Sequence, residues 1–352
     1  MGAGAARERF LALDGLRGVA ALAVLLFHLQ GTMRIGWAFA HGYLAVDFFF
    51  MLSGFVIAHA YEARLRAPGG LGPFLRDRVI RLHPLLVLSL IPPGAMLLAS
   101  MIAGEPPYAH PLLTLAVAFL PFPAFWIAPP YKFPLNSASW SLFWELVVNL
   151  AFALAAPRLN NRLLGAIVAA AVAGAVGVSL CNHGLLDPGP TAGFRAFAGF
   201  AIGVGLLRVH RLDRFRADRL GLIAAPLLLL SLAAVPISPR VATLYDPLIV
   251  FGLFPLILLA SARREARFPG LCAWLGGLSY PVYVLQAPVL KLIHRPLAAA
   301  IPYPLASGLV QCAIVVAVSL IAWRLYDEPV RRALRRRFAS GRAPDKRDRP
   351  AA

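Results

Sequence analysis

The chain has 352 residues, 59% of them hydrophobic and only 14% charged, whereas soluble domains carry about a quarter of their residues as Asp, Glu, Lys or Arg. A water-soluble fold is disfavoured on composition alone. The formal charge of +18 would point to nucleic acid in a soluble chain, but here the basic residues cluster between apolar runs. That is the pattern of cytoplasmic loops in a membrane protein, so a lipid bilayer and no nucleic acid is the expected partner. Cys181, Cys272 and Cys312 lie far apart without paired spacing, and the histidines are scattered. Neither a disulfide framework, a metal site nor a bound cofactor is implied.

Runs of about 17 to 25 residues, long enough to cross the hydrocarbon, occur near 11–30, 42–60, 83–103, 140–156, 163–181, 193–209, 220–236, 244–260, 273–293 and 305–326. A further apolar run near 112–128 contains Pro121 and Pro123. If it does not cross and the N-terminus is inside, 26 of the 34 Lys and Arg residues face the cytoplasm. Five lie outside (Arg34, Lys132, Arg240, Lys291 and Arg295) and three within spans (Arg17, Arg195 and Arg324). Were 112–128 to cross, the cluster from Arg208 to Arg219 would face outward, against the positive-inside rule. The expected fold is therefore all-α: a polytopic bundle of about ten spans, both termini cytoplasmic and no soluble domain. A short N-terminus (1–9), a membrane domain (10–330) and a basic tail (331–352) divide it. Ala38 and Ala40 mimic a cleavage site, but Asp14 and Arg17 interrupt the apolar run before it, so no cleaved leader is expected.

Ionisable residues at bilayer depth cost free energy and mark candidate sites. In the first run Arg17 and His28 are eleven residues apart, which puts them on one helix face about 16 Å apart along the axis; Asp14 can pair with Arg17. Asp47 enters the second run at about the depth of His28, where a carboxylate beside an imidazole would fix its tautomer. Ser53 and Gly54 follow. Arg76, Arg78 and Arg81 gather before the third run, and guanidinium suits phosphate. Ser141 and Glu145 are four apart in the fourth run, with no basic residue within four positions of Glu145. Arg195 in the sixth is the candidate cation, either as partner to Glu145 or as an oxyanion clamp. Pro281 and Pro288 break the ninth run, which carries Ser279, Tyr280, Tyr283 and Gln286; Glu328 and Pro329 mark the end of the tenth.

The segments LDGLRGVAALAVLLFH, GYLAVDFFFMLSGFVI, FLRDRVIRLHPL, SWSLFWEL, FRAFAGFAIG, LSYPVYVLQAP and YDEPV resemble, in order and spacing, the membrane-bound acyltransferase family 3. These are bacterial O-acyltransferases that modify O-antigen, exopolysaccharide, Nod factors, peptidoglycan and some antibiotics. The resemblance spans residues 10 to about 330. It places the family's arginine and histidine on Arg17 and His28, its aspartate on Asp47 and its Ser-Gly-Phe on Ser53, Gly54 and Phe55. Its arginine-rich motif falls on Arg76, Arg78 and Arg81, and its serine and glutamate on Ser141 and Glu145. Gln286 stands where family members commonly have histidine. The resemblance implies transfer of an acyl group, most often acetyl, from cytoplasmic acyl-CoA to a hydroxyl of an extracytoplasmic glycan or related acceptor, at the bacterial inner membrane. His28 is then the base, oriented by Asp47 or Glu145. Arg17 holds the donor or the oxyanion, and Arg76, Arg78 and Arg81 hold CoA phosphates, with Ser53, Ser141, Arg195 and Tyr280 in support. The alternative is a multipass transporter or flippase, against which no internal repeat is visible.

Overall fold

A computed structural model of the chain describes residues 10–340 apart from 36–37, 130–131, 187–188, 213–220, 222 and 234–237. The expectations for residues 1–9, for Arg214, Arg216 and Arg219, and for the tail beyond 340 lie outside the described residues. Among those described, every regular element is helical. The first is α1 (Leu11–Met33), and a single 3-10 turn (Gly42–Leu44) leads into α2 (Ala45–Arg66). Next come α3 (Leu71–Ile102), α4 (Pro111–Phe119), α5 (Ser139–Ala155), α6 (Asn161–Asn182), α7 (Ala192–Arg211) and α8 (Ala224–Leu232). α9 (Pro239–Pro247) passes through a π turn (Leu248–Leu253) into α10 (Phe254–Ala262). α11 (Pro269–Ala300) and α12 (Pro304–Ala322) follow, and a second π turn (Trp323–Asp327) leads to α13 (Glu328–Ser340).

Among the described residues seven helical stretches are long and apolar enough to cross a membrane: Leu11–Met33, Gly42–Arg66, Leu71–Ile102, Asn161–Asn182, Ala192–Arg211, Arg240–Ala262 and Pro304–Phe338. Three of the ten expected runs fall outside that set. α5 is 17 residues long and α8 nine. α11 has 32 residues but carries Ser279, Tyr280, Gln286, Lys291, His294 and Arg295. The run near 112–128 yields only the nine-residue α4, too short at 1.5 Å per residue for a hydrocarbon core about 30 Å thick.

Several sequence expectations are corrected. The third helix begins at Leu71 rather than near 83, so Arg76, Arg78 and Arg81 sit on a helix continuous with the apolar run. α11 is unbroken, with Pro281, Pro288 and Pro296 inside it. A proline leaves the carbonyl four residues earlier without its helical donor. For Pro288 that carbonyl belongs to Val284, and Asn136 Nδ2 donates to it at 3.0 Å. Nor does the helix stop at Pro329: α12 passes through the π turn (Trp323–Asp327) just before the proline and runs on as α13 to Ser340.

Two seams set the positions of the site residues. α2 lies against α7, and α1 against α11. In the first seam Gly199 and Gly203 form a small-xxx-small stripe, and a Cβ on Gly203 would collide with the Met51 carbonyl. Such stripes bring membrane helices into backbone contact. In the second, Gly18 lies against Leu275 and Gly276 against Asp14. Phe48, Phe55, Val204 and Phe254 are buried in the larger core, and Leu25, Leu85 and Val284 in a second one beside α11.

Candidate functional site

Two cavities lie end to end within the bundle. The first, about 240 Å³, is walled by five helices: Arg17 from α1, Phe49 and Ser53 from α2, Arg78 and Arg81 from α3, Ser141 and Glu145 from α5, and Ser279 and Tyr280 from α11. The second, about 420 Å³, takes His28 from α1, Trp140 from α5, Arg195 from α7 and Gln286 from α11, with Tyr43, Lys132 and Ser137 from the connecting segments. Val46 and Tyr283 line both.

The arginine cavity is strongly unbalanced in charge. Arg17 reaches across the α1–α11 seam, donating from Nη2 to the Gly276 carbonyl (2.8 Å) and from Nε to Ser279 Oγ (3.0 Å), and it is 3.0 Å from Asp14. Arg78 lies over the rings of Tyr61 and Phe74, at 5.4 and 5.9 Å. Arg81 lies 5.3 Å over Tyr280, whose hydroxyl donates to the Leu82 carbonyl at 2.5 Å. Among the described residues neither Arg78 nor Arg81 has a carboxylate within ion-pair distance, and Arg78 Nε is buried without a hydrogen bond. The one carboxylate in the lining, Glu145, accepts from Ser53 Oγ at 2.5 Å and Asn149 Nδ2 at 3.2 Å. With Arg17 paired to Asp14, the guanidinium groups of Arg78 and Arg81 beside the single carboxylate of Glu145 make a pocket for an anion, because Arg offers planar forked donors that match phosphate.

Arg76 is not part of this lining. Its guanidinium is 3.7 Å from Asp77 and lies over the Phe338 ring of α13.

Around the histidine cavity the expected pairings are replaced. Asp47 is fully buried and meets Arg195, 2% exposed, in a two-pronged pair, Nε to Oδ1 at 2.9 Å and Nη2 to Oδ2 at 2.5 Å. Arg195 also donates to the Leu185 carbonyl and lies over the Trp140 ring. Arg195 is therefore the partner of Asp47, not of Glu145. His28 opens into the cavity beside Phe27 without a hydrogen-bond partner among the described residues. Neither Asp47 nor Glu145 orients it: the first is taken up by Arg195, and the second lines the other cavity. Arg17 and His28 each line a cavity, on the helix they were expected to share. Ser141, which lines the arginine cavity with Glu145, bonds to Tyr283, with 2.6 Å between the hydroxyl oxygens.

One buried centre escaped the reading of the sequence. Asp246, fully buried, accepts from the Tyr43 hydroxyl at 2.7 Å and the Leu185 amide at 2.8 Å, and lies 3.1 Å from His41 Nδ1. It ties the turn before α2 to the segment before α7 and thereby seats both Asp47 and Arg195. The signal was present: Asp246 opens an apolar run, as Asp47 does.

A polytopic helical protein that encloses a cationic cavity and an adjoining histidine cavity is built for polar chemistry within a membrane. The profile of the acyltransferase 3 family, described as an acyltransferase domain, matches residues 10–324, and the chain belongs to that family. Acyltransferase MdmB of Streptomyces mycarofaciens is 26% identical over 388 aligned residues, covering 96% of this chain and 95% of that protein. The protein called "Protein 2 in picA locus" of Rhizobium radiobacter is 41% identical over 160 residues, 42% of this chain and 82% of that protein. No solved structure matches the chain.

Proposed function

We propose that the protein is a ten-span O-acyltransferase of a bacterial inner membrane with both termini cytoplasmic. It moves an acyl group, acetyl in the simplest case, from acyl-CoA to a hydroxyl of an extracytoplasmic glycan or related acceptor. The observation that carries this reading is the junction of the two cavities: one holds the guanidinium groups of Arg78 and Arg81, which have no carboxylate within ion-pair distance among the described residues, and the next holds an open imidazole. On this reading the arginine cavity faces the cytoplasm and takes the donor. Arg78 and Arg81 hold its phosphates, and Arg17, braced by Asp14 and α11, closes that wall. In the histidine cavity His28 takes the proton of the acceptor hydroxyl as its oxygen attacks the thioester carbonyl. The C–S bond breaks, and the proton passes from the imidazolium to the departing thiolate. Arg195 faces the same space with its charge fixed by Asp47, and preorganised charge is what stabilises a developing oxyanion. Glu145, held by Ser53 and Asn149, sets the polarity of the cavity that the donor occupies.

The test is donor affinity. Charge-assisted hydrogen bonds contribute about 1.5 to 3 kcal/mol, so Arg78→Ala or Arg81→Ala should weaken acetyl-CoA binding to the purified protein by about ten- to a hundredfold. Unaltered binding by an inserted, folded variant would return these arginines to a purely topological role.

A further inference from the structure

We infer that Tyr283, hydrogen-bonded to Ser141, is a movable septum that separates the two cavities and opens only to let the acyl-bearing arm of the donor through. Along α11, Ser279 and Tyr280 line the arginine cavity, Gln286 lines the histidine cavity, and Tyr283 between them lines both. Among the described residues Val46 of α2 is the one other residue shared by the two linings. α1 repeats this order, with Arg17 in one cavity and His28 in the other, about 16 Å apart along the helix. A group delivered at the arginines therefore has to pass Tyr283 to reach the imidazole.

Tyr283 is 7% exposed and packs in the larger core; beyond that packing, one hydroxyl and one ring hold it among the described residues. Ser141 Oγ donates to the Ala138 carbonyl at 3.1 Å, so its single proton is used and the Tyr283 hydroxyl is the donor across the 2.6 Å contact. The edge of Phe49 meets the ring with centroids 5.5 Å apart. One neutral hydrogen bond and one aromatic edge contact are weak restraints, and there is open space on both sides to receive a rotated ring. Closure has a purpose: the arginine cavity is itself open to cytoplasmic water, but an unblocked path would bring the thioester beside His28, which can activate water as well as an acceptor hydroxyl, and separation of the two prevents that side reaction. The balanced side reaction is hydrolysis, in which water oxygen bonds to the acyl carbon, the C–S bond breaks and the sulfur takes a proton.

The role in transfer rests on the donor and acceptor reading above, whereas the closure itself does not, so two measurements separate them. In sealed vesicles containing Ser53→Cys, with Cys181, Cys272 and Cys312 replaced by Ser, a charged methanethiosulfonate reagent is added from the His28 side. Ser53→Cys should resist modification while Tyr283 is present and react about tenfold faster or more with Tyr283→Ala, the factor that losing a closing hydrogen bond alone predicts. Equal rates with and without the tyrosine overturn the septum, whatever the protein transfers. In nanodiscs, thiol release from acetyl-CoA without acceptor should rise by a similar factor in Tyr283→Phe, which keeps the ring and loses only the hydroxyl. Unchanged hydrolysis in an inserted Tyr283→Phe that still binds acetyl-CoA contradicts the role in transfer.

Discussion

At the scale of single residues the structure separates two uses of charge in a membrane. The Asp47–Arg195 pair is buried and geometrically complete, so its members hold each other and the start of α2 against α7. Removing one partner leaves the other as an uncompensated buried charge, which costs about 3 to 5 kcal/mol. Asp47→Asn should therefore lower the thermal midpoint of the purified protein sharply and cut the amount recovered from membranes. The double variant Asp47→Leu with Arg195→Met should recover much of the folded yield, since no charge is stranded, while leaving acyl transfer impaired. If Asp47→Asn is as stable as the parent, the pair is not the brace described here. Arg78 and Arg81 are the opposite case, cations with aromatic neighbours and, among the described residues, no carboxylate within ion-pair distance, and that imbalance is what a ligand would relieve. The rule that ionisable groups in apolar runs mark sites picks out Asp47, Glu145 and Arg195 from the sequence. It cannot pair them, because Asp47 and Arg195 lie 148 positions apart and their meeting depends on how α2 and α7 pack. Asp246 obeys the same rule but stands at the edge of its run, where an acidic residue also suits the membrane interface.

At the scale of elements, apolar length and charge in the sequence locate most of the long helices but misjudge their ends. Pro281 and Pro288 suggest a break in α11 and Pro329 a stop after α12, yet both helices run through: at Pro288 the orphaned Val284 carbonyl finds another donor, and a π turn ends just before Pro329. Asn136 is that donor, and it is placed by folding rather than by local sequence. It also accepts from the Ala138 amide at 3.0 Å and donates to Ser89 at 2.9 Å, joining α3, α5 and α11 around the cavities. Asn136→Ala strands the Val284 carbonyl and the Ala138 amide, and each buried unsatisfied group costs about 1 to 3 kcal/mol. The expected result is a lower thermal midpoint together with reduced transfer, since Tyr283 and Gln286 flank Val284. A variant as stable and active as the parent would show that α11 needs no such support.

At the scale of the whole molecule, orientation follows from charge and the direction of chemistry follows from orientation. A reporter fused after Ala352 should read cytoplasmic and one placed within residues 182–192 external. An external C-terminus would require the 112–128 segment to cross, would invert every later segment and would overturn the ten-span arrangement. The account then turns on one claim: that acyl groups enter among the arginines and leave onto an external acceptor beside His28. Mass spectrometry of surface glycans and secreted metabolites tests it most directly, in matched cells carrying the parent gene, His28→Ala or no gene. The parent should add the mass of an acyl group to at least one product that the gene-free cells leave unmodified. His28→Ala, inserted at parental levels and still binding acetyl-CoA, should reduce that modification about a hundredfold or more, the loss typical of a general base. Modification by His28→Ala at close to the parental rate, or export that changes with the gene while no product gains an acyl group, would contradict the account.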